Sequence, residues 1–332
     1  MERKLVSIQR IDALEPIAGA DRIVRARVMG WDVVVKKGEF AVGDPCVFFE
    51  IDSVLPAGAP WAEFLRPRGF RVKTARLRGV LSQGLALPTA ILDGEVPALG
   101  ADVTAQLGVR KHEPILPDTR EIAGAFPAAV PRTDELRLQS ALEVLGELRG
   151  RDFAITTKLD GTSATYVRGD DGGFVACSRN WALAPGPNPI WRLAERLRLA
   201  EVIPPGFAVQ GEVCGPGIQR NRLGLTDVEL FVFSVLEVGS RRLLALDEQL
   251  AFCAERGLAH VPVEEIVRGE AATAFDHALP RWLARATGLY AGTRNRKEGI
   301  VVRPLVETYS PTLGGRLSFK VLNNEFLLAD EE

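Results

Sequence analysis

Residues 153–161 read Phe-Ala-Ile-Thr-Thr-Lys-Leu-Asp-Gly, a strand-like run that ends at Lys158 and turns at Asp160-Gly161. The β-branched and aromatic residues predict a strand over Phe153 to Thr157, and Asp-Gly is typical of a tight turn. A lysine at a strand end is held rigidly, and a glycine turn lets the backbone approach a phosphate. The pattern Lys-x-Asp-Gly therefore indicates a phosphate site at Lys158, although a plain hairpin turn has the same local sequence.

Lysine is scarce in this chain, which makes each lysine position informative. Of 41 basic residues only eight are lysines, at positions 4, 36, 37, 73, 111, 158, 297 and 320. Arginine keeps its charge near neutral pH, whereas a lysine amine can lose its proton when its surroundings lower its pKa. A lysine can then act as a nucleophile, so Lys158 is a candidate for that role.

The composition is that of a globular protein with two domains. The chain has 332 residues, 46% of them apolar, and no apolar run approaches the roughly 20 residues that a membrane helix needs. The four cysteines and three histidines are scattered, without the spacing of a zinc site or a disulfide framework. We expect a cytoplasmic monomer without a membrane partner. Since the net charge is −2, binding of nucleic acid requires a local cationic surface.

Residues 1–110 predict a small β-barrel, because short strands alternate with glycine and proline turns and helical periodicity is almost lacking. Residues 111–133 are rich in proline and alanine and predict a linker. The predicted strands of the barrel are Leu5 to Ile11, Arg22 to Met29, Trp31 to Val35, Pro45 to Ile51, Phe70 to Arg78 and Leu85 to Leu87.

Residues 134–332 predict an α+β domain with a largely antiparallel sheet, since strands alternate with helices and several strands are joined by few residues. A first helix is predicted between a cap at Thr133 or Asp134 and a stop at Gly150. Further helices are predicted near residues 189–200, 246–256 and 271–289. The predicted strands are Phe153 to Thr157, Ser163 to Arg168, Phe174 to Ser178, Phe207 to Val213, Leu230 to Glu237, Ile300 to Arg303 and Arg316 to Val321.

Five more short motifs follow Lys158-Leu159-Asp160-Gly161 along the second domain. They are Arg179-Asn180, Gly211-Glu212, Phe231-Val232-Phe233, Glu298-Gly299-Ile300-Val301-Val302 and Ser318-Phe319-Lys320. Their order resembles that of the covalent nucleotidyltransferase superfamily, which comprises DNA ligases, RNA ligases and mRNA capping enzymes. The resemblance implies an ATP-grasp-like nucleotidyltransferase domain that uses ATP together with Mg²⁺ or Mn²⁺.

The resemblance also implies a role for each motif. Lys158 matches the lysine that attacks the α-phosphorus of ATP and becomes lysyl-AMP, and Lys320 matches a cation on the α-phosphate. We expect Lys320 and bound metal to lower the pKa of Lys158. Glu298 matches the metal ligand, and Glu212 matches the partner of the ribose. The other nucleotide-binding positions are Asp160 and Gly161 in the turn, Arg179 on the sugar or the incoming 5′-phosphate, and Phe233, in preference to Phe231, on adenine.

Taken one at a time, these residues also have ordinary structural interpretations. Glu212 and Glu298 each lie beside a glycine at a strand edge, where a solvated turn carboxylate is common. Phe231 and Phe233 alternate with valines, a spacing that fits core packing for at least one of them. The functional interpretation therefore depends on the motifs together.

Within the superfamily the chain resembles RNA ligases that have an N-terminal OB-fold domain and seal nicks at a 3′-OH RNA end. Only twelve residues follow Lys320, too few for the OB barrel that DNA ligases and capping enzymes have after the last motif. Phe126-Pro127 and residues 131–139 resemble a segment that precedes the nucleophile in RNA ligases of the RNA-editing and phage type. In one departure, Ser318 replaces the first lysine of Lys-x-Lys, so Lys320 would hold the α-phosphate alone or with Arg316.

The predicted OB domain contains a cationic run from Arg66 to Arg78, with six cations and no acidic residue. A bulge near Thr74-Ala75 would keep the cations of its second half on one solvent face. Such a stripe suits binding of a phosphate backbone, and a merely solvated face is the alternative. The predicted nucleic-acid contacts are Arg71, Lys73, Arg76 and Arg78.

The leading hypothesis is an ATP-dependent RNA ligase that adenylylates itself, transfers AMP to a 5′-phosphate and joins that end to a 3′-OH in nicked duplexes, as in RNA repair. A capping-type guanylyltransferase is an alternative within the superfamily. An OB-fold RNA-binding protein with an inactive ligase domain is the non-enzymatic alternative.

Overall fold

The computed structural model describes residues 4–112 and 121–329, and it has the α+β class expected from the sequence. The described chain divides into two compact units. Residues 4–112, 138–142 and 327–329 form the first unit, and residues 121–137 and 143–326 form the second. The predicted linker falls partly outside the described residues, at residues 113–120. No helix in the described ranges is long and apolar enough to cross a membrane.

The first unit is built from short, mostly antiparallel strands. The strands are β1 Val6–Arg10, β2 Ala13–Pro16, β3 Ile23–Val28, β4 Trp31–Lys36, β5 Pro45–Phe49, β6 Ser53–Val54, β7 Ala75–Leu77, β8 Val80–Ser82, β9 Leu85–Pro88 and β10 Arg110–Lys111. Strand β5 lies between β1 and β9, strand β3 lies between β2 and β4, and the remaining pairs are β7–β8 and β6–β10. 3-10 helices span Pro60–Arg68 and Thr89–Ile91.

Every second residue of β4 faces a core. Trp31, Val33 and Val35 are buried, while the residues between them are half-buried, as expected for a strand with one face in the interior. Gly84 allows the chain to pass close to β5 just before β9, since a Cβ there would lie 2.8 Å from the carbonyl oxygen of Phe49. Its φ of +114° also favours glycine.

The predicted strand from Phe70 to Arg78 is wrong over most of its length. Only Ala75–Leu77 forms a strand, which pairs with β8 without a register shift. Gly69, Phe70 and Arg78 all have positive φ, between 51° and 60°. Residues in this conformation end the strand pairing at Phe70 and Arg78. Between them Arg71 forms an isolated antiparallel bridge with Val54, so this bridge and the short strand β7 replace the predicted strand and its bulge.

The second unit contains two larger sheets. Its strands are β11 Ile122–Ala125, β12 Leu136–Arg137, β13 Phe153–Lys158, β14 Thr162–Arg168, β15 Phe174–Cys177, β16 Trp181–Leu183, β17 Phe207–Cys214, β18 Glu229–Glu237, β19 Arg242–Leu243, β20 Ala259–His260, β21 Val263–Val267, β22 Gly299–Pro304, β23 Tyr309–Ser310, β24 Gly315–Arg316 and β25 Phe319–Leu322. The α-helices of the described chain are α1 Val144–Leu148, α2 Pro189–Arg196, α3 Leu199–Val202, α4 Leu246–Arg256, α5 Glu270–Thr273, α6 Leu279–Ala286 and α7 Asn324–Ala329.

Antiparallel pairing dominates both sheets, as the sequence predicts. The larger sheet has the order β11-β16-β15-β14-β17-β18-β19, with β20 also paired to β18, and the smaller has the order β12-β25-β22-β13-β21. Only the β12–β25 and β18–β20 pairs of these two sheets are parallel among the described residues. Helices α2, α3 and α4 contribute to the apolar cluster on the larger sheet, which includes Ile190, Leu193, Leu199 and Phe252.

Three predicted helices are shorter than expected or divided. The helix predicted near 189–200 is divided into α2 and α3, with Arg198 at a φ of +52° between them. The helix predicted between Thr133 and Gly150 is limited to α1, because Leu136–Arg137 pairs as a strand with β25 and a 3-10 helix over Leu138–Ser140 follows. Sheet pairing has overridden the helical spacing of the leucines. The helix predicted over 271–289 is divided into α5 and α6. Pro280 explains the break, since it starts α6 but cannot continue a preceding helix.

Candidate active site

Strand β13 holds Lys158 at its end, in the interior of the smaller sheet. The strand pairs with β21 on one side and with β22 on the other, and Phe153 and Ile155 are fully buried. The last residue pair between β13 and β22 is Lys158 with Gly299. A Cβ at position 299 would overlap the carbonyl oxygen of Val321 on β25. Gly299, the first residue of β22, thus lets β25 pack directly beside β22, and β25 contains Lys320.

The amine of Lys158 is hydrogen-bonded to the carboxylate of Glu298. Its Nζ donates to Oε2 of Glu298 over 2.8 Å, and the two side chains are 20% and 17% exposed. Burial lowers the pKa of Lys158, but the charges of Glu298 and Glu212 outweigh burial and raise it. The lowering of this pKa by Lys320 together with bound metal stays a prediction.

Two further titratable groups beside Lys158 have shifted pKa values. Burial, followed by the charge of Lys158, lowers the pKa of Lys320 to about 8. Burial raises the pKa of Glu212 to about 7, and the charge of Glu298 adds to the rise while Lys158 opposes it. Lys158, Lys320, Glu212 and Glu298 therefore form one electrostatically coupled group.

The turn after Lys158 is fixed by contacts that the sequence did not reveal. Asp160 forms an ion pair with the largely buried Arg222, with 3.2 Å between Oδ2 and Nε. The backbone N–H of Asp160 donates to the hydroxyl of Tyr290 over 2.9 Å. A Cβ at Gly161 would overlap the carbonyl oxygen of Val213 on β17. The glycine is therefore required for packing of the turn against β17, where we had expected close approach to a phosphate.

The Glu264 carboxylate on β21 connects the residues that precede Lys158 and Glu298. Glu264 accepts hydrogen bonds from Nζ of Lys297 over 2.6 and 2.7 Å and from the hydroxyl of Thr157 over 2.8 Å. Lys297 is 6% exposed, so its ammonium group requires this partner. A sequence gives little signal for such a contact, because Glu264 lies in an ordinary alternating strand.

Lys158 lies in an open cleft that has room for a nucleotide. The cleft measures about 600 Å³ with its mouth included, within the usual range for small-molecule sites. Phe233, Val261 and Val301 form its apolar part, whereas Phe231 packs against Leu159 and Cys214. The structure thus brings Phe233, and not Phe231, into the cleft. The other lining residues are Thr133, Asp134, Glu135, Thr156, Thr157, Leu159, Ser163, Arg179, Glu212, Arg303 and Lys320.

The segment resembling that of RNA ligases also contributes to the cleft. Asp134 pairs with Arg179 over 3.3 Å, and Glu135 pairs with Arg303 over 2.8 Å. Arg132 donates to the side-chain oxygen of Asn180 over 2.8 Å. The motif Arg179-Asn180 is therefore bound to the residues that precede the first helix.

Comparison with known families agrees with this geometry. Residues 151–322, just over half of the chain, match a family model described as RNA ligase. The chain belongs to the RNA ligase family. Residues 5–89 match a model described as an OB-fold domain, which confirms the predicted fold of the N-terminal strands. No curated protein matches this RNA ligase.

Solved structures of an RNA ligase from Naegleria gruberi are similar over nearly the whole chain. A variant of that enzyme with ATP and Mn is 32% identical, with a TM-score of 0.86 and coverage of 99% of both chains. A second variant, with AMP and Mn, is 32% identical, with a TM-score of 0.85 and coverage of 99% of both chains. The same enzyme with PPi is 33% identical, with a TM-score of 0.84 and coverage of 98% of both chains.

In this RNA ligase the side chain of Arg303, which sequence analysis did not single out, lies beside Ser318. Its Nε donates to Oγ of Ser318 over 2.9 Å, and its Nη1 donates to the carbonyl oxygen of Phe233 over 2.6 Å. Arg316, whose help to Lys320 was one of the two alternatives for holding the α-phosphate, pairs with Glu307 over 3.0 Å and lines a neighbouring cavity. Burial lowers the pKa of Arg316 to about 10. Arg303 follows Val301 by two residues on β22, and this same-face spacing was its only sequence signal.

The predicted nucleic-acid contacts of the OB-fold unit differ in exposure. Arg76 and Arg78 are exposed on either side of the partly exposed Leu77. Lys73 is half-buried. Arg71 is also half-buried, and its guanidinium pairs with Asp52 over 2.6 Å. The four cations do not form one continuous strand face, and only Arg76 and Arg78 are fully accessible.

Proposed function

We propose that this RNA ligase is ATP-dependent and that Lys158 becomes covalently attached to AMP. The observation that carries the proposal is the position of the Lys158 amine, at a rigid strand end inside a cleft and 2.8 Å from a carboxylate. The similarity to Naegleria gruberi RNA ligase structures that contain ATP and Mn or AMP and Mn supports the choice of nucleotide.

In the proposed first step the lone pair of Nζ of Lys158 attacks the α-phosphorus of ATP. A phosphorus–nitrogen bond forms, the bond to the β-phosphate oxygen breaks, and pyrophosphate leaves with the electron pair. The ammonium group, which Glu298 stabilises, must first release one proton to solvent, and the nitrogen releases a second proton to solvent as the phosphoramidate forms. Lys320, whose own pKa is lowered by the nearby charge of Lys158, stabilises the charge that develops on the α-phosphate.

The remaining residues of the cleft bind and orient the nucleotide. Phe233 offers an aromatic face for adenine, with Val301 as an apolar neighbour. Glu212 accepts a hydrogen bond from the ribose, and Arg179 contacts the sugar or the incoming 5′-phosphate. Asp160 and Gly161 support the cleft from behind through their contacts with Arg222 and β17.

The acidic side of the cleft fits a divalent metal. Burial is the main cause of the raised pKa of Glu212, and the charges of Glu298 and Asp160 lie close enough to add to the rise. No group of three or more metal-binding side chains occurs among residues 4–112 and 121–329. A single carboxylate suits Mg²⁺ or Mn²⁺, because such ions keep several waters and bind substrate phosphates. Glu298 would hold the ion, which supplies positive charge beside the α-phosphate when bound.

The later steps transfer AMP from Lys158 to a 5′-phosphate and join that end to a 3′-OH. We propose nicked duplexes with an RNA 3′-OH strand as substrates, with RNA repair as the setting. In this proposal residues 1–110 bind nucleic acid, through Arg71, Lys73, Arg76 and Arg78, and residues 134–332 perform the nucleotide chemistry. The enzyme would act as a monomer.

The test is incubation with α-labelled ATP and Mn²⁺ or Mg²⁺, followed by denaturing electrophoresis. We expect label on the wild-type protein and none on Lys158→Ala or Lys158→Arg. Lys37→Ala, which changes an exposed lysine of the other unit, is the matched control and should label normally. Label from GTP instead of ATP would indicate a guanylyltransferase. No label from either nucleotide would favour an RNA-binding protein with an inactive ligase domain.

A further inference from the structure

The hydroxyl of Tyr290 is bonded to the backbone around both reactive side chains. It accepts hydrogen bonds from the N–H groups of Asp160 and Glu298, over 2.9 and 3.0 Å, and donates to the carbonyl oxygen of Lys158 over 3.1 Å. A phenolic hydroxyl has one donor and two acceptor sites, so this one is fully used. Tyr290 is 5% exposed, which excludes competition from bulk water.

The hydroxyl of Tyr290 lies where the pairing between β13 and β22 ends. Pairing between β13 and β22 ends at Lys158 and Gly299. Beyond that pair the two segments lead to Asp160 on one side and to Glu298 on the other, and Tyr290 takes the place of the next cross-strand contact. The hydroxyl therefore connects two segments that are 140 residues apart in sequence, as the spacing of Lys158 and Glu298 shows.

The loop that contains Tyr290 is itself well fixed. The N–H of Tyr290 donates to the carbonyl oxygen of Asn295 over 2.9 Å, and the side-chain amide of Asn295 donates to the carbonyl oxygen of Arg222 over 2.6 Å. The same Arg222 forms the ion pair with Asp160. The ring of Tyr290 packs in the small apolar cluster that includes Leu159. Loss of the hydroxyl alone would leave this packing in place.

We infer that Tyr290 is a positioning residue that fixes the Lys158 amine relative to the Glu298 carboxylate for the adenylylation step. The inference rests on the proposed function. The hydroxyl bonds only backbone groups, so it neither touches the nucleotide nor exchanges a proton with it. Its contribution is to the attack geometry, which is sensitive to displacements of about 1 Å.

Tyr290→Phe removes the hydroxyl and keeps the ring. Tyr166→Phe is the matched control, because Tyr166 is fully buried in the same unit and its hydroxyl donates to the carbonyl oxygen of Ile190 over 3.1 Å, outside the cleft. The measurement is the single-turnover rate of protein–AMP formation over a range of ATP concentrations. Both variants are assayed at a temperature at which circular dichroism shows them to be folded.

We expect the maximal rate of Tyr290→Phe to fall at least about tenfold, with the apparent ATP affinity changed less than about threefold. Tyr166→Phe should stay within about twofold of wild type in both quantities. A purely structural role would affect the two variants alike, and that result would overturn the inference. A loss confined to ATP affinity would overturn it too, because it would assign Tyr290 to nucleotide binding.

Hydrogen exchange gives a second readout that does not depend on catalysis. Peptides that contain the amides of Asp160 and Glu298 should exchange faster in Tyr290→Phe than in Tyr166→Phe, since both amides lose their acceptor. Unchanged exchange would contradict the inference even if activity fell. Failure of the proposed function is distinguishable, because the wild-type protein itself would then form no AMP adduct.

Discussion

Gly299→Ala tests whether contact between β22 and β25 sets the catalytic geometry. A methyl group at this position would lie 2.9 Å from Cα of Leu322 and 3.1 Å from the carbonyl carbon of Val321, and it would overlap the carbonyl oxygen of Val321. These are backbone atoms, so no side chain can rotate away. Ordinary contacts between carbon atoms need about 3.5 to 4.0 Å, and the two strands must therefore separate by on the order of 1 Å.

Two effects follow from that separation. Overpacking of this kind costs about 1 to 3 kcal/mol, which corresponds to a fall in Tm of roughly 2 to 12 °C for a unit of this size. Lys320 follows Phe319 on the displaced strand, and a 1 Å shift of a reacting group can reduce a rate about a hundredfold. The assays are thermal unfolding and single-turnover AMP labelling well below the Tm of the variant.

Gly315→Ala is the control, because a Cβ at position 315 on β24 has no heavy atom within 4 Å. We expect it to resemble wild type in both assays. If Gly299→Ala retained the Tm and the labelling rate of wild type, close packing of these strands would not determine the position of Lys320, and the reasoning would fail.

Three further outcomes are expected. Glu298→Ala should cut AMP labelling at least about a hundredfold and Glu298→Gln should not restore it, as labelling rates will show; near-normal rates would make Glu298 a simple turn residue. His277→Phe should reduce the loss of unfolding free energy as pH falls below about 6.5, measured by urea denaturation at pH 7 and pH 5, because burial lowers the pKa of His277 and the unfolded chain binds the proton more readily. Replacing both Arg76 and Arg78 with Gln should leave AMP labelling unchanged. It should reduce the magnitude of the slope of log nick affinity against log salt by about 0.7 to 0.9 per lost contact. An unchanged slope would indicate a merely solvated face.

The sequence predicted the strand that holds Lys158 because local and tertiary preferences agree there. β-Branched residues favour a strand over 153–157. Burial of side chains on both faces agrees with the position of this strand in the interior of the sheet. Leu136 shows the opposite case, since its helical spacing indicated a helix while parallel pairing with Phe319 makes it a strand. Such pairing joins residues far apart in the chain, and periodicity within one segment cannot reveal it.

Residues of the candidate site could be predicted where they belong to a sequence motif. Residues that hold the motif residues in place from a distant segment could not be predicted. Lys158, Glu212, Phe233 and Lys320 do line one cleft. Tyr290 has no motif around it. The contacts of its hydroxyl depend on where the pairing between β13 and β22 ends. Supporting contacts of this kind are properties of the tertiary structure.

In the proposed mechanism, the pKa values of Lys158 and Lys320 have to change before Lys158 can attack. In the free protein Glu298 keeps Lys158 charged, while burial and Lys158 keep the pKa of Lys320 near 8, so the amine that should attack is protonated. Negative phosphates beside Lys320 favour its charged form, and a charged Lys320 in turn disfavours the charge on Lys158. Glu298 must also be drawn away from Lys158 before the amine can become neutral. In the proposed mechanism, nucleotide and metal binding therefore lower the pKa of Lys158 and raise that of Lys320, opposite to the shifts that their protein neighbours cause.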